Sequence, residues 1–319
     1  MATVGKDMIK AAFLNLGTHM WGEYDTLSNT LDFDYPTWVR ITERLQRAGG
    51  NMIVLDVGEG IVLPHCPELA VKGAWTPDRL AKEQARLKGM GIELIPKLNF
   101  STTHDAWLGE YTRMTSTPEY YRVCEAAIRD VIDVFGSPRF IHLGFDEETF
   151  THQRRRKIVR CRQGDLWWHD LDFLAGVALK AGSRPWIWSD YVWRHEDEFL
   201  RRMNRDIVQS NWYYGSSFAG ADVERTDDTY DALYDRIVRD FLKLDRAGFD
   251  QVPCGSIWEA YDNFGPLVEF CERRLSKEHL LGYMMASWYM TRPSELWKHL
   301  CAFDVMEEAF AGHTTGRIL

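Results

Sequence analysis

Phe140-Ile141-His142-Leu143-Gly144-Phe145-Asp146-Glu147-Glu148 is an apolar run that stops at a glycine and then sets three acids side by side. Strands seldom end this way for structural reasons, because adjacent carboxylates repel and each needs water or a partner. At the C-terminal end of a parallel strand such acids read as a catalytic site. At the start of a helix they would suit the helix dipole and cap the first turn. The run alone is compatible with both.

Working outward from it, short apolar runs recur along the chain, each followed by polar residues and a helix-period segment. The expected strands are Ala11–Gly17, Asn51–Val57, Ile92–Leu98, Arg139–Phe145, Pro185–Ser189, Ile207–Asn211, Val252–Trp258 and Leu281–Trp288. The helices expected between and after them include Tyr35–Ala48, Thr76–Met90, Pro118–Phe135, Trp168–Ala181, Tyr230–Ala247, Leu267–Leu275 and Ser294–Ala309. Short buried strands alternating with helices are the signature of βα units on a parallel sheet. Thr76-Pro77-Asp78 makes a helix start, and the glycines of Ala48-Gly49-Gly50-Asn51 and Lys88-Gly89-Met90-Gly91 make helix stops. Eight strands fit a (β/α)8 TIM barrel, an α/β fold, and no Pro-, Ser- or Gly-rich linker divides the chain. The expectation is therefore one barrel domain over residues 1–319. No G-x-G-x-x-G or P-loop follows the first strand, so a nucleotide-binding version loses support.

Composition narrows the chemistry. The 319 residues carry a net charge of −9, which argues against nucleic acid as a partner. The one basic run, Arg154-Arg155-Arg156-Lys157, reads as a solvated helix face, with contact to an anionic substrate group as the minority reading. Six cysteines lie without C-x-x-C spacing, giving no zinc signature and no compact disulfide framework. They lean weakly toward a reducing, cytoplasmic compartment, and export stays open if a signal was removed. No stretch has the length of a membrane span, and no pattern specifies an oligomeric state. No cofactor is expected, and without a recognisable ligand loop no metal is expected either.

In a barrel the strand ends converge on one face, and here they are loaded with acids and aromatic rings. Strand one delivers His19, Trp21 and Glu23; strand two Asp56 and Glu59; strand three Lys97, Asn99, His104 and Asp105. Strand four gives Asp146, Glu147 and Glu148, strand five Trp188, Asp190 and Trp193, and strand six Trp212, Tyr213 and Tyr214. Strand seven gives Trp258, Glu259, Tyr261 and Asp262, and strand eight Trp288 and Tyr289. With 13 Trp, 13 Tyr and 16 Phe in the chain, some rings must fill core. Carboxylates ringed by Trp and Tyr at one face nevertheless describe a carbohydrate pocket, since flat rings stack on sugar C–H groups.

The fourth-strand run resembles the His-x-Gly-Gly-Asp-Glu signature of glycoside hydrolase family 20, the β-N-acetylhexosaminidases. It stands here as His142-Leu143-Gly144-Phe145-Asp146-Glu147, with Phe145 in place of the second glycine. Pro67-Glu68-Leu69-Ala70-Val71-Lys72-Gly73-Ala74-Trp75 is similar to that family's Tyr-Pro-x-Leu-x-x-x-Gly-Ala segment. Gly91-Ile92-Glu93-Leu94-Ile95-Pro96, with His104 beyond it, is similar to its Gly-Ile-x-x-Ile-Pro-Glu strand and following Pro-Gly-His.

The resemblance implies substrate-assisted retaining hydrolysis of β-linked N-acetylhexosamine glycans, an exception to the two-carboxylate scheme. By motif position Glu147 is then the general acid and base, and Asp146 orients the acetamido group. It further implies that Tyr213 or Tyr261 donates to the acetamido oxygen and that Trp212, Trp258 and Trp288 wall the pocket; Trp188 and Glu259, at the ends of strands five and seven, are further substrate-binding candidates. His104 pairs with a carboxylate, Glu148 caps the next helix, and His142 reads as a core histidine. Three departures mark the chain as atypical. Leu16-Gly17-Thr18-His19-Met20-Trp21 lacks the family's strand-one Arg, Trp288-Tyr289-Met290 lacks the strand-eight acid, and Lys97 replaces the strand-three Glu. Two alternatives stay open. One is double displacement, with Glu147 or Glu148 as acid/base and Glu259 as nucleophile. The other is a sugar-binding barrel without catalysis.

Overall fold

The computed structural model describes residues 8–17, 28–223 and 229–312. His19, Trp21 and Glu23 lie outside them, as do the last positions of the strand-one segment compared above.

Eight parallel strands form the sheet: β1 (Ile9–Asn15), β2 (Met52–Asp56), β3 (Glu93–Lys97), β4 (Phe140–His142), β5 (Arg184–Trp188), β6 (Val208–Ser210), β7 (Cys254–Gly255) and β8 (Gly282–Ala286). Each pairs with its chain neighbour, and β1 pairs with β8. Single bridges, Gln209 to Gln251 and Trp212 to Cys254, join β6 to β7 and close the ring. The expected (β/α)8 barrel is the fold. The helices are α1 (Tyr35–Arg47), α2 (Pro77–Gly89), α3 (Pro118–Val134), α4 (Phe150–Gln153), α5 (Asp165–Lys180), α6 (Glu196–Arg202), α7 (Tyr230–Arg246), α8 (Phe264–Arg274) and α9 (Leu296–Phe310).

Local chemistry explains where the helices start. Asp34, Thr76, Thr117, Thr149 and Thr229 each accept a hydrogen bond from a backbone N–H in the first turn. Each cap stabilises its helix by about 1 kcal/mol. Proline follows at the first turn of α1, α2 and α3, where its missing N–H costs nothing. α4 and α6 are not among the expected helices, being too short to show an apolar period. The start expected for α5 is three residues late, because that helix starts after Gly164 without a side-chain cap. The basic run Arg154–Lys157 lies in a turn after α4 rather than on a helix, and Arg154, Arg155 and Lys157 are solvated as expected.

Strand side chains alternate between two buried layers. Outward residues meet the helices in one large core. Inward residues fill the barrel: Ile9, Ala11 and Phe13 from β1, Met52 and Val54 from β2, Trp186 and Trp188 from β5, Met284 and Ala286 from β8. The top inward layer is polar, with Asn15, Asp56, Lys97 and His142 in mutual register. Among the described residues, no helix is long and apolar enough to cross a membrane, and no group of acids, histidines and cysteines is arranged to hold a metal ion.

Candidate active site

The chain after β4 turns sharply before it presents its acids. Gly144 has φ +74°, and a Cβ there would lie 1.9 Å from Asn99 Oδ1. Glycine lets Asn99 pass close enough for its Nδ2 to donate to Asp146 Oδ1 at 2.7 Å. Phe145 keeps the left-handed backbone (φ +74°) that suits glycine, at about 1–2 kcal/mol of strain. Its ring is fully buried against Trp167, under the Arg162 guanidinium, and that burial offsets the strain. The substitution of phenylalanine for the signature's second glycine thus leaves the turn intact.

Glu147 is also left-handed, with φ +55°. Non-glycine residues held this way are stabilised by their surroundings and cluster at functional sites. Its N–H donates to Asp190 Oδ2 at 2.8 Å, and its carbonyl accepts from Thr103 Oγ1 at 2.7 Å. The Asp146 carbonyl accepts from the Ser101 hydroxyl. The loop after β3 therefore grips the acid turn at every second residue: Asn99, Ser101 and Thr103.

His104, from the same loop, brings Nε2 to 3.3 Å from Glu147 Oε2 and 3.6 Å from Asp146 Oδ2. His152, from α4, reaches Glu147 Oε1 at 3.4 Å. Burial pushes the Glu147 carboxyl up, but His104 and then His152 outweigh it and hold the carboxyl below its usual value. Asp190 shows the opposite balance. Burial first, then the charge of Asp146, push it well above the usual carboxylate range, which favours a proton on it. Its Oδ1 is buried with no hydrogen-bond partner among the described residues.

The remaining wall is aromatic. Asp146 and Glu147 line a cavity of about 240 Å³ with Trp188, Trp193, Trp212, Tyr214, Trp258 and Trp288. Trp188 and Trp212 meet edge to face at 5.6 Å, and Trp188 and Trp288 lie 5.6 Å apart. Trp288 Nε1 donates to the Tyr214 hydroxyl at 3.0 Å. That oxygen accepts, so its own proton is left to donate elsewhere, and burial keeps the phenol protonated.

Several expected residues take other places. Tyr213 borders the cavity but donates its hydroxyl to the Ser217 carbonyl at 2.6 Å. Tyr261 is exposed and lies outside the cavity lining, its phenol facing Cys301. Of the cavity's other tyrosines, Tyr230 and Tyr234 bond each other and Tyr234 donates to Glu259, so Tyr214 is the better-placed donor; strand parity is the signal that finds it, since 208, 212 and 214 face the barrel interior, whereas 213 packs in the outer core. Glu148 does not cap α4, a task Thr149 performs. It is buried instead in an ion pair with Arg162 at 2.6 Å, which also removes it as a candidate acid/base. Glu259 reaches the cavity rim, is exposed, and accepts a hydrogen bond from the Tyr234 hydroxyl. His142 is the core histidine expected, buried against Trp186 and Trp188, with burial holding it neutral. Lys97 pairs with Asp56 beneath the cavity.

No family model and no curated protein matches the sequence. Solved structures do match the fold. They include the exo-β-N-acetylglucosaminidase of glycoside hydrolase family 20 from Vibrio harveyi, with TM-score 0.62 and 14% identity over 95% of this chain. Dispersin B matches with TM-score 0.60 and 14% identity over 96% of this chain and 100% of its own. A β-N-acetylhexosaminidase from Bacteroides fragilis NCTC 9343 has TM-score 0.63 and 12% identity over 94% of this chain. The present chain spans 54% of the Vibrio protein's length and 65% of the Bacteroides one. At these identities the likeness establishes the barrel fold.

Proposed function

We propose that the chain is a glycoside hydrolase of the family 20 type that releases β-linked N-acetylhexosamine by substrate assistance. The observation that carries this is the pairing of Asp146 and Glu147 on one strained turn opposite a free tyrosine donor, Tyr214, inside a tryptophan-lined cavity. The fold shared with dispersin B and the Vibrio and Bacteroides enzymes supports it.

In the first step the substrate's acetamido oxygen attacks the anomeric carbon as the bond to the leaving oxygen breaks. Glu147 gives its proton to that oxygen. Asp146 accepts from the acetamido N–H and stabilises the positive charge of the resulting oxazolinium, while Tyr214 donates to the attacking carbonyl oxygen and fixes its direction. Water then adds to the anomeric carbon from the side the leaving group vacated. Glu147 takes the water's proton, the oxazolinium opens, and configuration is retained. Two adjacent acids serve only if their proton affinities differ. Asn99 donates to Asp146 Oδ1 and fixes that carboxyl for the acetamido N–H, whereas Glu147 faces two imidazoles placed to hand it a proton.

Double displacement would need Glu259 as nucleophile. Its exposure and its bond from Tyr234 suit a rim residue better than a desolvated nucleophile. Progressive fluorination of the substrate's N-acetyl group tests the reading, because fluorine drains the carbonyl oxygen that must attack. A steep fall in kcat from acetyl to trifluoroacetyl is expected, and a flat series overturns the proposal.

A further inference from the structure

The cavity is small against the roughly 300–1,000 Å³ of typical ligand pockets. Its 240 Å³ suits one sugar unit with its substituent, so any longer glycan must continue outside it. A row of rings begins at its rim. Trp258 lines the cavity and is also 42% exposed. Its ring lies 5.7 Å from that of Tyr289, in the loop after β8. Lys298 sits over Tyr289, 3.9 Å from the ring centre, and 5.8 Å from the ring of Trp297, which is 60% exposed in the first turn of α9. Two exposed tryptophans linked through the half-buried Tyr289 and Lys298 make one contiguous surface, and such surfaces mark binding sites rather than chance. Tryptophan and tyrosine present such area with few torsions to freeze.

We propose that Trp258, Tyr289 and Trp297, with Lys298 between the last two, form an outer track for a β-linked oligosaccharide whose terminal unit occupies the cavity. The occupant follows from continuity, since Trp258 belongs to both cavity and row, and from chemistry, since aromatic rings interspersed with an ammonium donor suit the C–H faces and oxygens of successive sugars. The substrate class is then a chain of at least three units rather than a disaccharide. Lys298 adds a donor for ring or substituent oxygens along the track.

This inference rests on the proposed function for what occupies the cavity, so its test reads binding without turnover. Glu147→Gln protein is titrated calorimetrically with monomer, trimer and pentamer of N-acetylglucosamine, in β-1,4- and β-1,6-linked series. Affinity should rise by about tenfold from monomer to pentamer in at least one series, as one or two ring stacks allow. Trp297→Ala should remove most of that rise and Trp297→Phe should restore it. In the wild-type background, Trp297→Ala should leave kcat/KM on a monomeric aryl N-acetyl-β-glucosaminide within about twofold, since Trp297 is exposed and lies outside the cavity lining that the monomer fills. A length dependence that is absent in both series, or unmoved by both Trp297→Ala and Tyr289→Ala, overturns the track. Length-dependent binding without hydrolysis by wild type overturns the activity and leaves the track standing. Hydrolysis without length dependence does the reverse.

Discussion

The backbone N–H of Glu147 donates to a carboxyl oxygen of Asp190 at 2.8 Å, across the gap between the ends of β4 and β5. This bond holds Glu147 at φ +55°, a conformation it would otherwise leave. An acid that must meet a glycosidic oxygen within hydrogen-bond reach depends on that anchor. Asp190→Asn keeps an acceptor oxygen and should cost less than about tenfold in kcat. Asp190→Ala frees the turn and should cost about a hundredfold, with KM changing less. Steady-state kinetics on an aryl N-acetyl-β-glucosaminide check the pair, with thermal melts to show that both variants fold. Equal losses in the two would refute the anchor.

Phe145→Gly sets two effects against each other. Glycine relieves about 1–2 kcal/mol of left-handed strain. Removing a fully buried phenylalanine ring costs about 3–5 kcal/mol. The burial term wins, so the variant that restores the family signature should be less stable, by about 2–3 kcal/mol in urea unfolding.

Gly144→Ala should be worse. The added methyl is placed 1.9 Å from Asn99 Oδ1 on a backbone at φ +74°. The strain and the displaced Asn99 together should cost about 3 kcal/mol or more, with activity lost along with the Asn99–Asp146 bond. A crystal structure or thermal melt of the variant that showed no change would contradict the tight turn.

His152 lies 3.4 Å from Glu147 Oε1 and its charge helps to hold that carboxyl low. The proposed first step needs Glu147 protonated, so kcat/KM should fall as pH rises through the Glu147 titration. His152→Ala removes a positive neighbour, raises the Glu147 pKa and should move that alkaline limb to higher pH. A limb that moves down, or stays, would place the titration elsewhere.

Asp240 tests the scaffold away from the site. It is buried on α7, and burial pushes it up to about 7, with Lys243, Glu196, Arg236 and Arg239 as the charged groups around it. The folded state therefore binds this proton more tightly than the unfolded chain does. Its favourable contribution is complete below the ordinary aspartate range and is lost as pH rises from about 4 to about 7. Asp240→Asn should flatten this part of the stability profile and raise stability at pH above 7, by up to a few kcal/mol. Parallel slopes for wild type and variant would show that Asp240 does not titrate there.

The barrel was legible because a parallel strand buried on both faces has a short apolar run as its only sequence form. Asp146, Glu147 and His104 were legible because polar residues at strand ends have few structural uses. Which neighbours they meet was less so. Glu148 stands next to Glu147, but the turn sends it to Arg162, fourteen residues on, and nothing local predicts that pair. Tyr213 and Tyr214 look alike in sequence and differ by the parity of a strand whose ends were uncertain by a residue. Asp190 was visible as an acid at a strand end, while its grip on the Glu147 backbone is a contact between loops that only the closed barrel creates.

In the proposed reaction the substrate's acetamido group is the nucleophile and Glu147 the proton donor. The most direct measurement compares hydrolysis of aryl N-acetyl-β-glucosaminide and aryl β-glucoside by wild type, Glu147→Gln and Glu259→Gln. Cleavage is expected only of the acetamido substrate, reduced by about a thousandfold or more in Glu147→Gln and little changed in Glu259→Gln. Cleavage of the plain glucoside that depends on Glu259 would contradict it.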